Sequence, residues 1–266
     1  MQEQLIVELV RDIREELPKT GGLKLMHLLK EDFREHHILI GRDSFFELLR
    51  NNNLLIKVRK RFAVTTNSNH LYKKWPNLIQ TIAPTAKQQL WVSDITYLKT
   101  DTGFAYLSLV TDAYSKKIVG YHLSQQLKAT GCLIALKKAI ASLQSISDHS
   151  LIHHSDRGVQ YCCEPYIAVL QASKINISMT QSGSPYDNAI AERVNGILKN
   201  ELLLDKTFNS YSMAVAAVAV AINAYNGLRP HMSCGNLTPE QAHETQNPLN
   251  KQWKNKKYCK ANTVLL

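Results

Sequence analysis

Three β-rich runs in the middle of the chain decide the fold: LWVSDITYL at 90–98, FAYLSLVTDAY at 104–114 and KKIVGYHLS at 116–124. Aliphatic, aromatic and β-branched residues dominate each run, and only short polar turns separate them. Strands joined by such short connections pair antiparallel. The sequence therefore predicts a three-stranded antiparallel meander.

Helices and short strands alternate after the meander. The predicted elements are a helix at 133–143, a strand at 151–154, a helix at 166–172 and a strand at 175–179. Another helix is predicted to begin near SPYDNAIAER at 184–193, with Ser184 as its N-cap and Pro185 in its first turn. This order predicts an α/β fold, a mixed five-stranded sheet with flanking helices, in a core domain at 89–246.

Residues 1–62 are predicted to form a small all-α region. Apolar residues recur at helical spacing on both sides of Gly21-Gly22, which we expect to end the first helix. Ser44 and Glu47 have the spacing of a capping box, which predicts a short helix beginning there. A short helix after a Gly-containing turn and before basic residues is typical of a DNA-binding helix-turn-helix. An ordinary helical bundle is the alternative.

Two further segments have no sustained periodicity. Residues 63–88 are polar and contain Pro76 and Pro84, so they are predicted to be a linker. Residues 247–266 are predicted to form a basic C-terminal tail, since they hold five lysines between positions 251 and 260 without an acid among them.

The composition favours a polyanionic partner. The chain has 32 Lys and Arg against 22 Asp and Glu, a net charge of +10 and an isoelectric point near 9.3, which points first to nucleic acid. Its 5 cysteines include no Cys-x-x-Cys pair, which argues against a zinc ribbon or a disulfide framework. No run of about 18 apolar residues exists, so no membrane span is expected.

Three acids occupy positions that ordinary folding does not favour. Asp94 interrupts an apolar strand, Asp156 follows another, and Glu192 lies on the helix that begins near 184–193. Carboxylate oxygens are the ligands that hard cations such as Mg²⁺ prefer, and two such ions can clamp a phosphodiester. Three unrelated surface acids are the alternative.

Four blocks of sequence resemble the D,D(35)E transposases and retroviral-type integrases. The first three are WVSDITYL, HHSDRGVQY at 153–161 and SPYDNAIAERVNGILKNE at 184–201, and 35 residues (157–191) separate Asp156 from Glu192. The fourth, YNGLRPHMSCGNLTPEQA at 225–242, is similar to the block that closes the catalytic domain in insertion-sequence transposases of the IS-three family. Arg193 and Val194 stand where many members have two aromatics.

This resemblance implies a ribonuclease H-like fold and metal-dependent cleavage and joining of DNA. Asp94, Asp156 and Glu192 would be both the catalytic residues and the ligands of two Mg²⁺ ions, or of Mn²⁺. The implied partners are double-stranded DNA at transposon ends and target, further copies of the chain, and an upstream-frame protein as fusion or partner. The implied location is the bacterial cytoplasm, associated with the nucleoid. A nuclease of the same fold, or a catalytically silent DNA-binding relative, is the alternative.

The predicted DNA contacts form two groups. If 188–201 is one helix, a narrow polar stripe contains Asn188, Glu192, Asn195 and Lys199, and the lysine would lie beside the DNA backbone. Phosphate contacts are also predicted for a second group, namely Lys57, Arg59, Lys60, Arg61 and Arg229. A solvated surface is the alternative for both groups.

His153 and His154 adjoin Asp156, but successive strand residues point to opposite faces, so at most one could face the site. We expect packed or hydrogen-bonded histidines rather than ligands, and buried thiols at Cys162-Cys163 rather than a nucleophile.

Overall fold

The computed structural model describes residues 2–56, 71–80, 82–143, 151–181 and 188–250. The basic cluster Lys57, Arg59, Lys60 and Arg61 lies outside the described residues, as do the lysines of the tail. The predictions made for those positions stay predictions. Ser184 and Pro185 also lie outside the described residues, but the helix that carries Glu192 begins at Ala189 with Asn188 as its N-cap, so the predicted N-cap at Ser184 is wrong.

The predicted meander is confirmed. Strands β1 (Leu90–Thr100), β2 (Gly103–Asp112) and β3 (Ile118–Ser124) pair antiparallel, with Asp94 opposite Leu109 in the register of the first pair. Polar turns of two and five residues join them, as the short connections in the sequence predicted.

Two short parallel strands complete the sheet. β4 (Ile152–Ser155) pairs with β1, and β5 (Asn176–Met179) pairs with β4, giving the order β3-β2-β1-β4-β5. The predicted mixed five-stranded sheet is therefore confirmed. A sixth strand, β6 (Thr207–Phe208), pairs with the far end of β1 and was not predicted, because two residues cannot show a periodicity.

Ten α-helices surround or precede the sheet in the described parts of the chain. They are α1 (Gln2–Glu16), α2 (Gly22–Leu28), α3 (Lys30–Glu35), α4 (Arg42–Asn51), α5 (Ala129–Ala141), α6 (Val159–Cys162), α7 (Glu164–Ala172), α8 (Ala189–Asn200), α9 (Tyr211–Gly227) and α10 (Pro239–Glu244). One 3₁₀ turn, Met232–Cys234, follows α9.

Each face of the sheet buries its own apolar cluster. Trp91 packs with residues of α5, α6 and α7 on one face. Leu98 packs with residues of α8 and α9 on the other. Side chains alternate between faces along a strand, so Asp94, four residues before Leu98, lies on the same face as that leucine. The pleat of β1 therefore directs Asp94 towards α8.

Two local predictions in the N-terminal helices are wrong. α1 ends at Glu16, ahead of Pro18, rather than at Gly21-Gly22, because a proline cannot continue a helix and restricts the residue before it. α4 begins at Arg42 with Gly41 as its N-cap, so Ser44 already lies inside the helix and forms no capping box.

The described part of the predicted linker is attached to the core. The backbone N–H of Met179 donates to the carbonyl of Pro76 at 3.2 Å, and the N–H of Leu78 donates to Ser178 Oγ at 2.9 Å. These bonds use groups at the open edge of β5, so residues 76–78 run beside the sheet instead of leaving it.

An ion-pair network joins the N-terminal helices to the core. Glu201, just after α8, accepts two bonds from the Arg229 guanidinium, at 2.8 and 2.9 Å, and one from Lys24 Nζ of α2 at 3.2 Å. Burial alone would raise the pKa of Glu201, but Arg229 and Lys24 outweigh it and lower the pKa. Leu17, which follows α1, also belongs to the apolar cluster of the core.

Helix α9 combines length with an apolar composition. The segment Tyr211–Cys234 is the one stretch of the described chain that is long and apolar enough to cross a membrane by those criteria alone. Six side chains of α9 are buried, and they belong to the cluster shared with the sheet and α8. Packing against the core accounts for these six side chains, whereas Met213, Val215 and Val220 of the same helix are exposed.

We expect Glu201→Gln to lower the free energy of unfolding by about 3 kcal/mol at pH 7, because it leaves the Arg229 guanidinium, 2% exposed, without its counter-charge. Since the folded-state pKa lies below 4.5, this contribution is present above pH 4.5 and is lost as the pH falls through the folded-state pKa. Urea unfolding at pH 7 and at pH 3.5 measures both effects.

Glu31→Gln is the matched control, since Glu31 pairs with Arg34 on the surface with 72% of its side chain exposed. Its cost should stay below about 1 kcal/mol. Equal losses in the two variants would mean that the buried network does not hold the N-terminal helices to the core.

Candidate active site

Asp94 and Asp156 lie just beyond the point where the parallel pairing of β1 with β4 ends. Val92 pairs with His154, so a continuation of that register by two residues places the two aspartates opposite each other. Asp156 directly follows β4, and its Oδ1 accepts a hydrogen bond from the Gly158 N–H at 2.9 Å. The turn after β4 is thus shaped by the carboxylate itself.

Glu192 approaches from the first turn of α8. Ala191 and Val194 are buried and hold that helix to the sheet, whereas the Glu192 side chain is exposed. Partial desolvation raises the pKa of Glu192. The helix therefore presents this carboxylate at the opening of the site rather than in its interior.

The Asp94 carboxylate is the most perturbed acid of the three. Burial raises its pKa to about 7, and the neighbouring charges of Asp156 and Glu192 add to the increase. A hydrogen bond from Asn195 opposes the shift. A strongly perturbed acid beside two others is a feature of functional sites, because the fold gains nothing from placing like charges together.

The two asparagines of the stripe have a different role from the DNA contact predicted for them. Asn195 Nδ2 donates to Asp94 Oδ2 at 2.6 Å, and Asn188 Nδ2 donates to the backbone carbonyl of Ser93 at 3.0 Å. Both residues are only 8% exposed. As a correction, their amide donors are engaged within the protein, and they hold Asp94 and its strand in place.

Lys199 lies two turns beyond Glu192, as the stripe predicted. Its ammonium stands 4.2 Å from the centre of the Tyr97 ring, which is a cation–π contact with β1. Burial lowers its pKa, and Asp94 and Asp205 partly offset that effect. The lysine is therefore half-buried beside the carboxylates and is held by an aromatic ring.

The residues of the site suit a hard divalent cation in their chemistry. Beside the three carboxylates, the side-chain oxygens Oδ1 of Asn188 and Asn195 are buried and have no hydrogen-bond partner among the described residues. A cation would also relieve the repulsion that raises the pKa of Asp94. Within the described residues, however, no three His, Cys, Asp or Glu side chains are close enough to hold a metal ion together. Metal binding would therefore require a side chain of the site to move inwards, and the Glu192 side chain is exposed.

The two histidines before Asp156 are packed and hydrogen-bonded, as predicted. His153 Nε2 lies 2.7 Å from Ser93 Oγ and 3.0 Å from the Tyr166 hydroxyl, and burial lowers its pKa to about 3. His154 Nδ1 lies 2.8 Å from Ser178 Oγ. The bond between Ser93 and His153 ties β1 to β4 next to the acids, and no motif in the sequence indicated it.

The predicted burial of the Cys162 thiol is confirmed. The predicted phosphate contact of Arg229 is not. Cys162 is buried beside Met179, and burial raises the pKa of its thiol to about 11, whereas Cys163 is half-buried. The prediction for Arg229 needs a correction, because its side chain is buried and bonded to Glu201. Arg229 stabilises the fold, and its sequence context gave no sign that an acid would pair with it.

Two family models, both described as an integrase core domain, match residues 84–185 and 173–239 of this chain. Between them they cover the six strands and the helix that carries Glu192.

Proteins of bacterial insertion sequences are similar along most of their length. The 31 kDa protein of insertion element IS600 from Shigella sonnei is 38% identical over 79% of this chain and 78% of its own length. Transposase InsF for insertion sequence IS3A from Escherichia coli K12 is 34% identical over 73% of this chain and 67% of its own length.

A solved structure supports the fold. A chain in the cryo-electron microscopy structure of the simian T-cell lymphotropic virus intasome, in complex with PP2A regulatory subunit B56 gamma, is similar over 87% of this chain and 74% of its own length, with a TM-score of 0.53 and 17% identity. The predicted ribonuclease H-like class is thereby confirmed. By its sequence blocks, its core-domain matches and its relatives, the chain belongs to the IS3-type insertion-sequence transposases of the retroviral integrase superfamily.

Proposed function

We propose that this chain cleaves the DNA strands at the ends of an insertion sequence and joins them to target DNA, in a reaction that depends on divalent metal ions. The observation that carries the proposal is the parallel pairing of β1 with β4, whose register, continued by two residues, brings Asp94 and Asp156 together, with Glu192 of α8 close enough to act on the Asp94 carboxylate. Each acid comes from a different element, so the arrangement does not follow from one local motif. Membership of a transposase family supports the same reaction class.

Asp94, Asp156 and Glu192 would hold two Mg²⁺ or Mn²⁺ ions. When bound, such ions offset the charge that develops on a phosphate and polarise the attacking oxygen of a water or a 3′ hydroxyl. The protein supplies the orientation: Asn195 fixes one oxygen of Asp94, and the Gly158 N–H fixes one oxygen of Asp156. Attack in line on phosphorus needs no covalent bond between protein and DNA.

The surrounding chain would bind the substrate. We infer that Lys199 contacts the backbone of the transposon end, and that Lys57, Arg59, Lys60 and Arg61 contact duplex DNA through their charge. The helices of 1–62 would bind DNA as a helix-turn-helix region, and 247–266 would add a basic tail. Because two ends must be joined, we propose that copies of the chain assemble on DNA, alone or fused with an upstream-frame protein, in the bacterial cytoplasm.

Asp94→Asn, Asp156→Asn and Glu192→Gln should each lower strand transfer by about 100-fold or more while leaving the affinity for duplex DNA unchanged. All three acids serve one site, so a double variant should be little worse than a single one. Strand transfer in Mg²⁺ with labelled terminal DNA, next to binding in EDTA, measures both quantities.

Asp101→Asn removes an exposed acid at the end of β1 and is the matched control, for which no change is expected. A single triad variant that keeps more than a few per cent of wild-type strand transfer would contradict the assignment. If the wild-type chain binds DNA but neither cleaves nor joins it, the alternative of a catalytically silent DNA-binding relative is favoured.

Asn195→Ala should raise the Mg²⁺ concentration needed for half-maximal strand transfer by about 10-fold or more, because residues that orient a ligand contribute to metal affinity. Asn195 is a positioning residue in this proposal, so saturating Mg²⁺ should restore much of the maximal rate. A lower rate at all Mg²⁺ concentrations, with an unchanged half-maximal concentration, would mean that the asparagine only stabilises the helix.

Lys199→Ala should impair engagement of the terminal nucleotides next to the cleavage point, and Lys199→Arg should retain part of the activity because the charge persists while its geometry changes. Footprinting of terminal DNA together with strand transfer tests this. Lys206→Ala is the matched control, since Lys206 also stacks on a ring, that of Phe208, at 5.3 Å. Wild-type footprints in Lys199→Ala would exclude a role for the lysine at the end of the transposon.

A further inference from the structure

A cavity of about 440 Å³ lies on a different side of α8 from the acids. Four segments that are distant in sequence line it: α2, the turn before β3, α8, and the stretch after α9. Each contributes a cation, and these are Lys24, Lys116, Arg193 and Arg229. The cavity is thus built by the tertiary fold rather than by one basic run of sequence.

The cations exceed the negative charge that pairs with them. Glu201 bonds to both Lys24 and Arg229, and one carboxylate can neutralise only one of these two charges. Arg193 is exposed at the mouth of the cavity and adds a further positive charge. A lining of this kind favours an anion over a neutral or cationic ligand.

His231 gives the cavity a polar group without a partner. The residue is 8% exposed, lines the cavity, and its Nε2 has no hydrogen-bond partner among the described residues. A buried polar atom that lacks a partner costs free energy, so its persistence suggests a ligand atom that the protein does not supply.

The electrostatic surroundings of His231 agree with this interpretation. Burial lowers its pKa to about 2, and the charged groups that lower it further, Arg229 first, are all cations of the cavity. The imidazole is therefore neutral, and as a neutral ring it can donate one hydrogen bond. A phosphate oxygen would accept that bond while its charge faces the surrounding cations.

We propose that this cavity binds one phosphate group of the DNA backbone, as a second contact site beside the carboxylates. The identity of the polyanion as DNA rests on the proposed function, whereas the anion site itself does not. Arg193 follows Glu192 directly, so the two side chains project about 100° apart from α8. One helix would then present Glu192 to the reacting phosphate and Arg193 to a neighbouring phosphate.

Because Lys24 lines the cavity, the proposed phosphate site also involves the N-terminal helices. Lys24 belongs to α2, yet it lines the same cavity as Arg193 of α8. A phosphate bound there would contact both regions of the chain at once. DNA binding should therefore hold the N-terminal helices and the core in one arrangement.

Arg193→Ala tests the proposal by the salt dependence of DNA binding. Affinity for a terminal-repeat duplex is measured in EDTA, where no strand is cut, so the result does not depend on catalysis. Loss of one phosphate contact should reduce the slope of log K against log salt by about 0.9. Lys137→Ala, which removes an exposed cation from α5, should leave the slope unchanged. Phosphate ethylation should interfere at one position in the wild type and no longer in Arg193→Ala.

A second experiment compares inorganic phosphate with duplex DNA, because either could supply the phosphate group that the cavity binds. The ring ¹⁵N resonance of His231 should shift with either, and phosphate should compete with the duplex. If phosphate shifts the resonance but Arg193→Ala binds DNA with an unchanged slope, the cavity takes a free anion and the proposal is overturned. An unshifted resonance with both ligands overturns it as well. Variants of Asp94, Asp156 and Glu192 leave the cavity intact. A failure of the proposed catalytic function can therefore be distinguished from a failure of the proposed phosphate site.

Discussion

The burial of the Asp94 carboxylate in a strand of the core is the constraint on which the rest of the site depends. Water would stabilise this charge. The fold removes much of that water and places Asp156 nearby, directly after the adjacent strand, so the pKa of Asp94 rises to about 7. Among the described residues, Asn195 is the one side chain that donates a hydrogen bond to Asp94. The surrounding structure tolerates this cost because β1 is held by three strands of the sheet, β2, β4 and β6. A rigid strand can hold a charge where a loop would turn it out to solvent.

Helix α8 both positions the acidic residues of the site and packs into the apolar core. One side of α8 carries Glu192, Asn195 and Lys199, and another side buries Val194 and Leu198 in the cluster that includes α9. Apolar packing therefore sets the distance between the helix and β1. Any change that shifts α8 would shift the amide that positions Asp94, which links the stability of the core to the geometry of the acids.

Local patterns predicted the meander, the mixed sheet and the positions of the three acids, because alternation and spacing carry that information. Pairing partners were harder to predict. Arg229 looked like a phosphate contact until Glu201, 28 residues earlier, was found against its guanidinium. Asn195 looked like part of a DNA-facing stripe until its amide was found bonded to Asp94. In both cases the residue type indicated a polar contact, but only tertiary structure decides whether the partner is protein or ligand. The sixth strand and the hydrogen bond between Ser93 and His153 left no trace in the sequence for the same reason.

The ion pairs of Glu201 would fix the spacing, along the DNA, between the segment bound by the N-terminal helices and the bond that is cleaved. Lys24 ties α2 to the residue that directly follows the helix bearing Glu192, and Leu17 anchors the preceding turn in the core. If the N-terminal helices hold a stretch of DNA, the number of base pairs between that stretch and the bond to be cut is fixed by these contacts. The chain would then cleave at a fixed distance from the bound stretch. An insertion of five base pairs between the two, about half a helical turn, would place the original cleavage point on the opposite side of the duplex.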